Sequence, residues 1–232
     1  MSFNHEPVEL QDMVAETTES GRIYKTPEGI DYPSITTVLS ILSRAGIAAW
    51  RKRVGAEVAN KISAQASRRG TAVHEIIERY LNNDEDYKQD VTPDVIQSFN
   101  DVKPILDNSI GTIYSQEAPL YSNHLGLAGR VDCVAEFNGV LSIIDFKTSR
   151  KRKTPSMIKQ YFMQEAGYAI MWEERTGMPI TQLVTIIAVD DHPTQIFIEH
   201  RDNWVNNLKD TIEKWKDEQL SLIHISEPTR RE

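Results

Sequence analysis

Cysteine is nearly absent: Cys133 is the only one in 232 residues. That excludes an intramolecular disulfide, a zinc site built from several cysteines and a cysteine-ligated iron–sulfur cluster. No apolar run approaches the ~20 residues that a bilayer-spanning helix needs, so no membrane helix is expected. The first twenty residues lack Lys and Arg and lack an apolar stretch, but contain Glu6, Glu9, Asp12, Glu16 and Glu19. A secretory signal requires a basic start and an apolar middle, and a transit peptide is basic and poor in acids, so neither is predicted. The expectation is an intracellular, cytoplasmic protein. The phosphate-cradling GxxxxGK[ST] loop and the GxSxG nucleophile turn are also missing, and the stretch from His74 to Glu78 has Glu where a zinc protease helix has its second His. Net positive charge is missing too. The chain has 26 basic and 34 acidic residues, a formal charge of −8, so bulk charge does not advertise nucleic-acid binding.

What is present reads as one globular unit. Hydrophobic residues make up 40% and charged residues 26%, ordinary values for a soluble domain, and no repeat or low-complexity tract interrupts them. Residues 1–20 read as a flexible acidic arm. Helical periodicity covers 35–43, 47–66 and 71–81, with a break at Arg68–Arg69–Gly70, and another helix starts at Pro93 or Asp94 and runs to about 108. The period then changes to that of strands over 112–121, 127–137 and 140–147, with Asn138–Gly139 as a two-residue hairpin turn. A helix over 155–175 ended by Gly177, strands over 183–189 and 195–199, and a last helix over 204–218 complete a single α/β domain spanning 21–220. The final twelve residues, SLIHISEPTRRE, resemble a translated sequencing adapter and are expected to be an artefactual tail.

The stretch GRVDCVAEFNGVLSIIDFK, from Gly129 to Lys147, is the most informative. An Asn-Gly turn pairs the residues flanking it, Phe137 and Val140, and continuing that register sets Asp132 opposite Asp145. Opposed Cβ atoms lie ~4.5–5.5 Å apart, where two like charges repel. Alternation puts Asp132, Asp145 and Lys147 on one face of the hairpin. Two explanations stand: a structural salt bridge from Lys147 to either Asp, or a divalent-cation site whose oxygen ligands suit Mg²⁺ or Mn²⁺, with Lys147 acting on water or phosphate. His74 and Glu78 share a helical face, as do Gln164 and Tyr168. The run from Lys147 to Lys153 has five basic residues in seven.

These motifs together resemble the PD-(D/E)XK nucleases of the RecB-like type. The matching elements are Gly70, Thr71 and His74, then Glu117, Gly-Arg-Val-Asp ending at Asp132, Asp-Phe-Lys from Asp145 to Lys147, and Gln164 with Tyr168. The opening YPSITTVLS, Tyr32 to Ser40, followed by Trp50, is similar to the same region of mitochondrial genome maintenance exonucleases and related phage exonucleases. The resemblance covers about residues 22–200 and implies a restriction-endonuclease-like core, a central mixed sheet flanked by helices. It implies Asp132, Asp145 and Lys147 as catalytic residues. It implies a Mg²⁺ or Mn²⁺ ion held by Asp132, Asp145, the Phe146 carbonyl, His74 and, less directly, Glu117. Gln164 and Tyr168 would brace Lys147 or touch DNA, while Arg68, Arg69, Arg130, Arg150, Lys151, Arg152 and Lys153 would meet its phosphates. Tyr161 would be placed to stack bases. The implied activity is a metal-dependent DNA exonuclease that favours single-stranded ends, leaves 5′-phosphates and serves replication, repair or recombination. The alternatives are a structure-specific or double-strand nuclease on the same fold, and a catalytically silent DNA-binding module. Iron–sulfur members of the family need four cysteines, so that branch is excluded.

Overall fold

The computed structural model describes residues 2–226, with side chains through Ser221. Two sheets organise the chain. The smaller is an antiparallel sheet of β1 (Val14–Thr18), β2 (Gly21–Lys25) and β3 (Asp31–Pro33). The larger has the order β4 (Ile110–Ser122), β5 (Leu127–Phe137), β6 (Val140–Ser149), β7 (Gln182–Val189) and β8 (Gln195–His200). Its neighbours are antiparallel except β6 and β7, which run parallel. A parallel pair requires a crossover, supplied here by a 3-10 turn at Pro155–Met157 and a long helix, Lys159–Thr176. The sheet is therefore mixed and the architecture α/β.

The remaining helices are α1 (Ile35–Leu39), α2 (Ile41–Val54), α3 (Ala56–Leu81), α4 (Pro93–Ser109) and, after the crossover helix α5, α6 (Val205–Ser226). Ser34 caps α1 by accepting the amide of Thr37. One face of the large sheet packs Cys133, Ala135, Ile144 and Phe146 against Val73 and Ile76 of α3 and Phe99 of α4. The other packs Val134 and Ile143 against Ala166, Ala169 and Trp172 of α5, Ile35 of α1 and Leu208 of α6. Both cores are continuous and nearly sealed, which fixes the strand ends between the helices.

Three local expectations differ from the structure. The break expected at Gly70 is absent: α3 runs through it, and the chain turns instead at Gly55, φ +86°. An internal Gly costs a helix about 1 kcal/mol relative to Ala, a cost exceeded by burial of Val73, Ile76, Ile77 and Leu81 just beyond it. The acidic arm is also docked rather than loose. Phe3 and Met13 are buried, the Ile113 amide donates to the Asn4 carbonyl, and the Glu6 and Val8 amides donate to carbonyls of β4. Two apolar side chains and an added edge pairing hold a segment whose composition is that of a solvated tail. At the other terminus, Ser221 to 226 continue α6, and 227–232 of the expected tail lie outside the described residues.

Candidate active site

The hairpin register is as its turn chemistry requires, from Phe137 opposite Val140 to Cys133 opposite Ile144. There the ladder ends, and Asp132 and Asp145 are not set directly against each other as the sequence pattern predicts. Asp132 instead accepts the Phe146 amide at 2.9 Å on Oδ2. The irregularity is shared with the neighbouring strand. Glu117, between the paired residues Gln116–Cys133 and Ala118–Val131, has φ +48°, the left-handed region that L side chains rarely adopt. Alternation slips at this point, so that Val131 and Val134 pack into the same core while Cys133 packs into the other. The slip swings Asp132 toward α3.

Asp132 then meets His74, whose Nδ1 lies 3.5 Å from its Oδ2. His74, Glu117 and Asp132 each offer a ligand atom, and the three lie within 4.8 Å of one another. Glu78, Gln116 and Phe146 complete the lining of this pocket, with the Phe146 ring edge-on to His74. Burial, followed by the charges of Asp132 and Glu78, pushes the Glu117 carboxyl up to about 7. Glu78 is raised as well, by burial and then by Glu75. Carboxyls gathered in a partly buried pocket beside an imidazole are a donor set suited to a hard divalent cation.

On the other side of β6, Asp145 is 1% exposed and ion-paired with Lys147. That ammonium is the partner of Asp145 Oδ2. Oδ1 accepts Gln164 Nε2 at 3.3 Å. Burial raises the Asp145 carboxyl, with Lys147 opposing. Burial acts to discharge Lys147, but Asp145 and then Asp132 outweigh it and hold the ammonium charged. The Tyr161 ring lies under that ammonium, 5.3 Å from Nζ to the centroid, so this tyrosine faces the lysine. Tyr168 packs so closely on Gly129 that a Cβ there would lie 2.7 Å from its ring, which accounts for glycine ahead of Arg130.

The basic residues divide. Arg68, Arg150, Lys151 and Arg152 are exposed, Lys153 partly so. Arg150 reaches Gln65 of α3 at 3.3 Å. Arg130 donates to the Glu117 carbonyl and lies 3.4 Å from Asp12 of the arm. Arg69 is a strut: it ion-pairs with Asp190 and donates to Ser98 at 3.0 Å, joining α3 to α4 and to the turn after β7. A second basic surface was not apparent from local motifs. Residues 41–69 have seven basic residues against the single acid Glu57, and α2 has no buried residue. Counting charge along that helical pair would have found it.

The PD-(D/E)XK nuclease superfamily matches residues 48–226. The human (Homo sapiens) protein mitochondrial genome maintenance exonuclease 1 is 25% identical over 223 residues, covering 84% of this chain and 62% of the human protein. The chain therefore spans less than two thirds of that relative's length. A crystal structure of a candidate exonuclease from Eubacterium rectale shares 13% identity at a TM-score of 0.46, over 69% of each chain.

Proposed function

Because the chain belongs to the PD-(D/E)XK nuclease superfamily, we propose that it is a Mg²⁺- or Mn²⁺-dependent DNA exonuclease acting on single-stranded ends during replication, repair or recombination. The observation that carries this reading is the convergence of the His74–Glu117–Asp132 cluster and the Asp145–Lys147 pair on adjoining residues of β5 and β6. His74, Glu117 and Asp132 would hold the cation, with Asp145 and the Phe146 carbonyl as further ligands. When bound, the cation stabilises negative charge on the phosphate and on the leaving oxygen. Asp132, fixed by the Phe146 amide, keeps the end of β5 against β6. Lys147, charged and resting on Tyr161, orients the attacking water at the scissile phosphate. Gln164 holds the Asp145 carboxylate from below, so that Lys147 and Asp145 approach the phosphate as one unit.

Two features favour a strand of DNA as the substrate. The exposed α2 and the first half of α3 carry an excess of positive charge on a chain that is negative overall. Arg150, Lys151 and Arg152 add exposed cations at the end of the catalytic strand. Phosphate contacts of this kind bind any sequence, as an exonuclease requires. Relatedness to an exonuclease of mitochondrial genome maintenance supports the assignment to ends. No helix among the described residues is long and apolar enough to cross a membrane.

End-labelled single- and double-stranded DNA, incubated with Mg²⁺, Mn²⁺ or EDTA beside a circular single strand, tests the whole reading. Linear single strands should be degraded in either metal and spared in EDTA, and circles should survive. Cleavage of circles would make the protein an endonuclease, and metal-independent cleavage would remove the cation from the mechanism.

A further inference from the structure

Beneath the catalytic pair lies a buried acid that the mechanism above does not use. Glu165 is 0% exposed. Its Oε1 accepts a hydrogen bond from Thr185 Oγ1 on β7, and its Oε2 has no hydrogen-bond partner. Thr185 is the register partner of Asp145 across the parallel β6–β7 pair. Gln164, the residue before Glu165, bonds Asp145 itself. Two consecutive helix residues thus reach two laterally paired sheet residues.

The geometry of that stitch matters. Successive residues on an α-helix point about 100° apart, so Gln164 and Glu165 straddle β6 and β7 rather than both facing one strand. One bond leaves a helix free to roll about its axis; two bonds to neighbouring strands fix the roll. The small residues Ala166, Gly167 and Ala169 follow the stitch on α5, while Met163 and Tyr168 fill the core on either side of it. A carboxyl buried at this depth is an expensive way to fill space, and burial followed by the charge of Asp145 raises its pKa well above the ordinary range.

We propose that Glu165 is a positioning residue for the catalytic carboxylate: through its bond to Thr185 it sets the roll of α5, which places Gln164 on Asp145. The inference rests on the nuclease reading of the Asp145–Lys147 pair. Gln keeps a strong acceptor for Thr185, whereas Met keeps the straight chain with only a weak thioether acceptor. Mn²⁺ titration followed by the shift in melting temperature gives metal affinity without reference to activity. Glu165→Gln should stay within about twofold of wild type, whereas Glu165→Met and Thr185→Val should each weaken Mn²⁺ binding by about tenfold or more, as loss of groups that orient metal ligands does. KM for single-stranded DNA should be unchanged in both while kcat falls. The double variant should be no worse than the weaker single, because both remove the same bond. A Glu165→Met or Thr185→Val protein that melts lower yet binds Mn²⁺ as wild type would show a merely structural role and overturn the proposal. Equal damage from Gln and Met would also overturn it, by showing that the charge and not the bond matters. A metal-free stability cycle of Gln164→Leu with Glu165→Met separates this inference from the reading beneath it. Wild type without any Mn²⁺ response would defeat the cation reading, whereas strictly additive losses in the cycle would defeat the stitch.

Discussion

Helices α2 and α5 are both regular and of comparable length, 14 and 18 residues, yet α5 buries ten of its residues and α2 buries none. On α5, polar side chains are held against the sheet at Asp145, Lys147 and Thr185. On α2, Arg44 is tied to Glu218 of α6, while Arg51, Lys52 and Arg53 stand in its last turn with no acid on the helix. The difference follows from what each must do to a polymer. Hydrolysis requires a few atoms to be fixed within a fraction of an ångström, which demands packing and satisfied hydrogen bonds. Holding a strand that must advance after every cut requires diffuse attraction without register, which exposed cations provide. Variants on α5 and the strand beneath it should therefore change rate, and variants on α2 should change binding.

The largest effect is expected at Lys147. Lys147→Ala should reduce cleavage by at least about 10²-fold, the range for a positioned proton-handling group, while leaving affinity for single-stranded DNA close to wild type. Cleavage within a few-fold of wild type would move the lysine out of the chemistry, and parallel loss of binding would blur the division between the two helices.

The two aspartates provide the next largest contrast, and they should respond with opposite sign. Asp145 is the buried partner of Lys147. Asp145→Asn strands that cation, and losing one partner of a buried pair costs about 3–5 kcal/mol. Asp132 instead belongs to a crowded group of acids. Asp132→Asn keeps an acceptor for the Phe146 amide and removes repulsion, so its metal-free melting temperature should equal or exceed that of wild type. Both variants should lose Mn²⁺-induced stabilisation, which for wild type is ~2.7 kcal/mol at a hundredfold excess over Kd. A stabilised Asp145→Asn or a destabilised Asp132→Asn would reverse the assignment of which carboxylate is the ion-pair partner and which belongs to the crowded acids.

That assignment also marks where the sequence stopped being legible. The hairpin, its register and the Gly129–Tyr168 approach follow from local chemistry: an Asn-Gly turn, alternation, and a glycine where a ring must lie close. The slip at Glu117 does not, because a left-handed glutamate carries no mark in the sequence. Alternation alone therefore keeps Asp132 and Asp145 on one face, while the slip turns Asp132 to α3. Docking of the arm was hidden for a similar reason. Phe3 and Met13 have no apolar periodicity around them, and only the ring of Tyr80 for the first and the cluster of Tyr24, Tyr121 and Ala128 for the second give them a place. Nothing local distinguishes Arg69 from Arg68, because the partner that makes it a strut, Asp190, lies 121 positions away in the chain.

The basic surface should yield a smaller, graded effect. Neutralising Arg51, Lys52 and Arg53 should weaken binding of any sequence and flatten the log–log dependence of affinity on salt by roughly 0.7 per lost single-strand phosphate contact. Replacing Arg150, Lys151 and Arg152 should act likewise. Arg69→Ala should behave differently, lowering the melting temperature through the orphaned Asp190 while leaving the salt slope unchanged. An altered slope in the Arg69 variant would return it to the DNA-binding set and remove the strut.

The smallest expected effect is a dependence of metal-free stability on pH, and it isolates the acids of the cation cluster. In the folded protein the Glu117 carboxyl is pushed up to about 7, by burial first and by Asp132 and Glu78 next, from an ordinary value of 4.5. Between those two values the folded state holds a proton that the unfolded chain has released. Stability must then fall as pH rises through that window, the opposite of the behaviour of a salt-bridged carboxylate. Asp145 and Glu78, raised in the same direction, add to the fall, so the informative quantity is the difference between wild type and Glu117→Gln. Gln keeps the side-chain shape at the strained φ of +48° and cannot titrate, so backbone strain cancels in that difference. Without metal, the melting temperature should drop more steeply for wild type than for Glu117→Gln between about pH 5 and 7.5. With saturating Mn²⁺ the part of the drop that Glu117 contributes should vanish in wild type, because a cation bound to the native state competes with the proton and favours the charged carboxylate. Superimposable profiles for the two metal-free proteins would show that Glu117 is an ordinary exposed glutamate, and would leave His74 and Asp132 without their third ligand.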